Sequence, residues 1–121
     1  MARRAREYLA DLLESVAAVR AYTRSGKRAF LRSAMARDAV VARIIQIGEA
    51  VKGAQAAGLD LETLAPEVPW RQIAGMRDLL SHQYWRTDPA ILWAVVAKDL
   101  GPLEAAVRKT WPADRARKQK K

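Results

Sequence analysis

The chain contains one histidine, His82, in the stretch Arg77-Asp78-Leu79-Leu80-Ser81-His82-Gln83-Tyr84. An imidazole exchanges protons near neutral pH, and a guanidinium offers a fixed fork to phosphate oxygens. Together these groups suit RNA cleavage by attack of a 2'-hydroxyl without a metal. That reaction needs a base for the nucleophile, an acid for the leaving oxygen and cationic support for the developing charge. A single histidine per chain fills both proton-transfer roles if a two-fold dimer brings two copies together. Asp78 lies four residues before His82, so on a helix its carboxylate shares a face with the imidazole and can hold it. Arg77 and His82 are five apart, which is about 140° around an ideal helix. Within one regular helix they do not converge. Either the helix breaks before His82, or a second copy completes the site.

Other residues with chemical potential have plainer explanations beside them. Glu49 can approach Arg77 and orient it, or can make an ordinary ion pair. Ser81 precedes His82 directly, but adjacency does not make a Ser-His-Asp triad, which is a matter of geometry. Of the four tryptophans, Trp70, Trp93 and Trp111 read as packing residues. Trp85, beside Tyr84, is the one that could stack on a base. A lone histidine at a helix end is by itself a capping or solvent-facing residue, favoured there by the helix dipole. There is no cysteine, no glycine-rich phosphate loop and no Walker lysine. With one histidine and scattered carboxylates, neither a metal site nor a cofactor is expected.

The elements that must position these residues read as helices. Tyr8, Leu12, Val16 and Val19, with Leu9 and Leu13, recur at three- and four-residue steps and predict a helix from about Arg3 to Arg24, ended by Ser25-Gly26. A second helix is predicted from Ala29 to Ala57, with Phe30, Ala34, Val41, Ile44, Ile45, Gly48 and Val51 inward. Gly48 in mid-helix costs about 1 kcal/mol against alanine, which points to close approach of a neighbouring helix. Gly58 closes this helix, and Asp60 to Leu64 reads as a single turn. Pro69 opens a third helix, Trp70 to about His82, with Ile73, Met76, Leu79 and Leu80 inward. Asp88-Pro89 opens a fourth, carrying Ile91, Leu92, Val95, Val96, Leu100 and Leu103, kinked at Gly101-Pro102 and ending before Pro112. Strand-type alternation is nearly absent. The expected architecture is all-α, an antiparallel four-helix bundle with a short extra turn.

With 121 residues and 50% hydrophobic composition, the chain fits one domain with its own core. No apolar run approaches the roughly 20 residues of a membrane span, and the basic N-terminus is followed by Glu7 and Asp11 rather than by a secretory signal's apolar stretch. A cytoplasmic protein without membrane association is expected. The net charge of +9 is concentrated at one end: residues 108–121 carry a net +6 and the other 107 only +3. The expected organisation is a helical domain over residues 1–111 and a basic, mobile tail over 112–121. Such a tail favours encounter with nucleic acid without specifying it, and serves equally as a solvated end.

The stretch from Arg77 to Tyr84 resembles the R-x-x-x-x-H-x-Y signature of the HepT-like toxins, within the HEPN superfamily of helical ribonucleases. Ile44-Ile45-Gln46-Ile47-Gly48-Glu49-Ala50 resembles the family's second-helix segment, and Trp70 to Asp78 its approach to the motif. Ile91-Leu92-Trp93 and Asp99-Leu100-Gly101-Pro102-Leu103 resemble its last helix, so the similarity spans Tyr8 to Leu103. The resemblance implies a helical dimer with Arg77 and His82 of both copies in one cleft. It implies a metal-independent endoribonuclease toxin acting on RNA, and a cognate antitoxin of the minimal nucleotidyltransferase type, able to adenylylate the motif tyrosine, Tyr84. A second reading keeps the same fold as a non-catalytic helical subunit of a nucleotidyltransferase. A helix-turn-helix DNA binder fits less well, since the third helix offers only Arg71, Gln72 and Arg77 for base contacts.

Overall fold

The computed structural model of the protein describes residues 3–83 and 86–119, with side chains described for 3–83 and 86–110. Within these residues every regular element is helical, and no helix is long and apolar enough to cross a membrane. The elements are α1 (Ala5–Tyr22), α2 (Lys27–Arg32), α3 (Ala34–Ala56), α4 (Leu61–Leu64), α5 (Trp70–Gln83), α6 (Pro89–Ala94) and α7 (Leu100–Gln119), with a π-helical turn, Val95–Asp99, joining α6 to α7.

The apolar stripe of α1 is buried through Leu9, Leu12, Val16 and Val19. Each such side chain contributes roughly 1.5–3 kcal/mol relative to exposure. α1 ends at Tyr22, and after a turn Gly26, the residue before α2, adopts φ 93°, a left-handed conformation that strains a side-chain-bearing residue. The single second helix expected from the sequence is two helices. Ser33 leaves the helical region (φ −109°, ψ 107°) and accepts the Ala36 amide at 3.0 Å, capping α3. Ala34, expected inward, is exposed because it sits in that new first turn. Phe30, on α2, is buried and packs tilted against Trp93 of α6, with ring centroids 5.5 Å apart.

α1 and α3 pack antiparallel: Tyr8 lies against Gly53, and Ser15 donates to Gln46 at 3.3 Å. A Cβ at Gly53 would overlap the Tyr8 ring, so this glycine is the seat of that side chain. The turn expected at Asp60 is α4, capped by the Asp60 carboxylate accepting from Thr63. Leu61, Ala65 and Val68 are buried, and the indole of Trp70 donates to the Ala65 carbonyl at 2.8 Å, tying the loop to the start of α5. Asp88 caps α6 through the Ala90 amide at 2.9 Å, with Pro89 at the first helical position.

Three further expectations are corrected. Leu79 and Ile91, read as inward, are 46% and 52% exposed. Each lies on the outer flank of its helix, beside a neighbour, Leu80 or Leu92, that takes the core position. The irregularity near Gly101-Pro102 is a π turn ahead of the proline rather than a kink at it, since Pro102 supplies no amide to the carbonyl one turn back. Finally, α7 does not stop before Pro112 but runs to Gln119. Proline removes one hydrogen bond, while the alanines, arginines and lysine beyond it are good helix formers. The side chains of residues 111–121, including Trp111, lie outside the described set.

Candidate active site

α3 and α5 meet at Gly48. A Cβ there would overlap the Cβ of Arg77 and stand 3.3 Å from the Ile73 carbonyl oxygen. The mid-helix glycine thus permits close approach at the residue that carries the guanidinium, and the stem of Arg77 is laid against α3. Glu49, the next residue of α3, accepts from Arg77 Nε. On the other side, Arg77 Nη1 donates to Asp78 Oδ1 at 2.6 Å, and Lys52 Nζ reaches the same oxygen at 3.4 Å. The result is a chain of alternating charge, Glu49–Arg77–Asp78–Lys52, drawn from two helices. Nη2 of Arg77 makes no hydrogen bond among the described residues, and the side chain remains 31% exposed. Nη2 is therefore the guanidinium nitrogen left for an anion.

The electrostatics follow from these contacts. The hydrogen bond from Arg77, aided by the Lys52 charge, holds the Asp78 carboxyl below the usual aspartate range. The carboxylates of Asp78 and Glu49 in turn raise the already high pKa of Arg77. Arg77 is thus a permanent cation whose orientation is fixed at two of its three nitrogens.

His82 is exposed in the last turn of α5. The expectation that Asp78 would hold its imidazole is corrected: the Asp78 carboxylate is bonded to Arg77 and Lys52, and His82 has no hydrogen-bond partner among the described residues. The nearer cations win the carboxylate. α5 is unbroken from Trp70 to Gln83, so the helix does not break before His82, and the two side chains of one chain diverge by about 140°. Tyr84 and Trp85 lie outside the described residues.

Sequence reasoning named Glu49 and Asp78 as supports but passed over Lys52. Its signal was the i,i+3 spacing from Glu49, which puts both on one face of α3. No cluster of three or more His, Cys, Asp or Glu suited to a metal ion occurs among the described residues.

Comparison with known proteins places this geometry in context. The sequence pattern of the family described as ribonuclease HepT-like matches residues 12–110. A Thermococcus cleftensis protein named probable ribonuclease HepT is 34% identical over 110 residues, covering 90% of this chain and 97% of that one. A Methanocaldococcus jannaschii protein provisionally named an RNase is 32% identical over 101 residues, 83% of this chain and 90% of that one. A longer protein of the same organism, named as a gamma-glutamylcyclotransferase and provisionally as an RNase, is 34% identical over 103 residues, 84% of this chain but 45% of its own length. No solved structure gives a significant match.

Proposed function

Because the chain belongs to the HepT-like ribonuclease family, we propose that it is a metal-independent endoribonuclease whose active site is assembled from two copies. The observation that carries this reading is the unbroken α5, with an anchored Arg77 and a diverging His82. In a two-fold dimer with the α5 segments opposed, the single cleft between them receives two imidazoles and two guanidiniums. One His82 takes the 2'-hydroxyl proton as that oxygen attacks phosphorus. The other protonates the departing 5'-oxygen. Arg77, through Nη2, meets the phosphate oxygens as negative charge develops on them. The products are a 2',3'-cyclic phosphate and a free 5'-hydroxyl, so atoms and protons balance without a metal or added water.

The biological setting that suits this activity is a toxin–antitoxin pair. The partner would be a nucleotidyltransferase antitoxin, and transfer of AMP to Tyr84 would place a phosphodiester and an adenine beside Arg77 and block the cleft. Incubating the protein with that antitoxin, ATP and magnesium should add AMP to Tyr84 and leave Tyr84→Phe unmodified; an unchanged mass would leave steric binding as the inhibitory mode.

A second reading, a non-catalytic subunit of a nucleotidyltransferase, draws on one observation: Arg77 is flanked by two carboxylates that offset its charge. One assay separates the two readings. Purified protein should cleave RNA to cyclic-phosphate ends in the presence of EDTA, with His82→Ala slower by about two to four orders of magnitude. No cleavage by wild type, or cleavage unchanged in His82→Ala, would favour the non-catalytic subunit.

A further inference from the structure

Between Glu14 and Asp38 the sequence has six cations and no acid: Arg20, Arg24, Lys27, Arg28, Arg32 and Arg37. Two of them are engaged. Arg20 pairs with Glu104 at 2.7 Å, and Arg37 donates to the Leu31 carbonyl at 2.7 Å. The other four, on α2 and the turn before it, are exposed and form no ion pair among the described residues. Elsewhere Arg3, Lys52, Arg71, Arg77 and Arg108 stand against carboxylates, and the other cations without an ion pair among the described residues, such as Arg43, Arg86 and Lys98, are scattered rather than grouped on one short element.

The fold does not account for this concentration of charge. α2 has six residues, too few to be stable by itself, and is held by Phe30 packed on Trp93. Arg28 and Arg32 are one turn apart, about 160° from Phe30, so they project away from the packed side. Like charges at this spacing weaken a helix. The arrangement is costly to the element that bears it and becomes favourable when a row of anions lies outside. Tyr22, at the end of α1 and 41% exposed, adds an aromatic face beside the row.

The position matters as much as the charge. α2 packs on α6. Pro89, the first residue of α6, follows Gln83, the last residue of α5, by six positions. That is at most about 20 Å of chain. The cationic row is thus joined, through α6 and a short stretch of chain, to the end of α5, where His82 stands.

We propose that Arg24, Lys27, Arg28 and Arg32 form a phosphate-binding surface that holds the RNA strand leading to His82, an inference that rests on the ribonuclease function above. It assigns to the α1–α2 corner a substrate-holding role separate from the chemistry at Arg77 and His82.

The test uses a fluorescein-labelled single-stranded RNA of mixed sequence, about 20 nucleotides long, bound to protein carrying His82→Ala so that the probe stays intact. Adding Arg28→Ala and Arg32→Ala should weaken binding by about tenfold and lower the salt dependence of binding by about one to two counterions. Arg28→Lys with Arg32→Lys, which keeps the charge, should bind within about twofold of the parent. In the active background the double alanine variant should show a raised KM on the long RNA with kcat unchanged, and should cleave a dinucleotide as wild type does. An unchanged affinity and salt slope, in a variant whose circular dichroism matches wild type, would overturn the inference. That failure is distinct from failure of the ribonuclease reading, in which wild type itself does not cleave.

Discussion

Arg77 is held by the two carboxylates that flank it and by the absence of a side chain beneath it. Glu49 takes Nε, Asp78 takes Nη1, and Gly48 lets the stem lie flat on α3. All the ionic contacts are solvent-accessible, so their worth to stability is small. In the proposed mechanism their role is to orient the guanidinium. Glu49 is in this sense a positioning residue. Glu49→Gln keeps one acceptor for Nε and should retain more cleavage activity than Glu49→Ala, with Arg77→Ala below both; equal activity in all three would remove the role. Arg77→Lys should be as inactive as Arg77→Ala, because an ammonium cannot bond Glu49, Asp78 and a phosphate from one plane.

Gly48→Ala is the sharper structural test: its methyl must displace Arg77, and it should cost about 1–3 kcal/mol in urea denaturation despite alanine's higher helix propensity. Asp78 carries a pH signature. Its folded-state pKa is depressed, so its contribution to stability is present above the ordinary carboxylate pKa and is lost as pH falls through the lower folded value. Asp78→Asn should therefore flatten the acid limb of a stability–pH curve; an unaltered limb would mean the Arg77–Asp78 contact does not persist in solution.

At the scale of elements, the sequence signals that survived were those with a local physical cause. Asp88-Pro89 opens α6, Asp60 caps a short turn, and the α1 stripe is buried. The errors came where a local signal competed with a longer pattern. Ser33 caps α3, yet the apolar spacing from Phe30 to Val41 bridges it, and no Glu or Gln follows at the third helical position to mark a capping box. Pro112 reads as a stop, whereas the helix-forming residues beyond it continue the backbone. The π turn before Pro102 extends over five residues whose types alone do not announce it. Ser33→Ala should lose about 1 kcal/mol of stability in thermal melting while leaving RNA cleavage intact. A loss of several kcal/mol would mean that Ser33 supports more than the helix start. At the site, the sequence offered Gly48 as a point of close helix approach and Glu49 as able to reach Arg77, but nothing in the spacing identified α5 as the helix that meets Gly48 or placed the Glu49 contact. The capture of Asp78 by Lys52 rather than by His82 could not, since it depends on which cation the packing brings nearer.

For the whole molecule, the proposed site needs two chains. α5 continues past Arg77 to Gln83 without a break, so the arginine and the histidine of one copy face different directions. Sedimentation at micromolar concentration should accordingly show a dimer, and a strictly monomeric species would argue against the assembly. Dimerisation alone does not show that the two histidines share one cleft. The most direct measurement is the cleavage rate of dimers co-assembled from wild-type and His82→Ala chains at varied ratio. If acid and base come from opposite copies, a dimer with one histidine lacks one of them, and activity falls as the square of the wild-type fraction, to about a quarter at an equal mixture. Activity falling in simple proportion, to about half, would show that each copy works alone and would contradict the two-copy site.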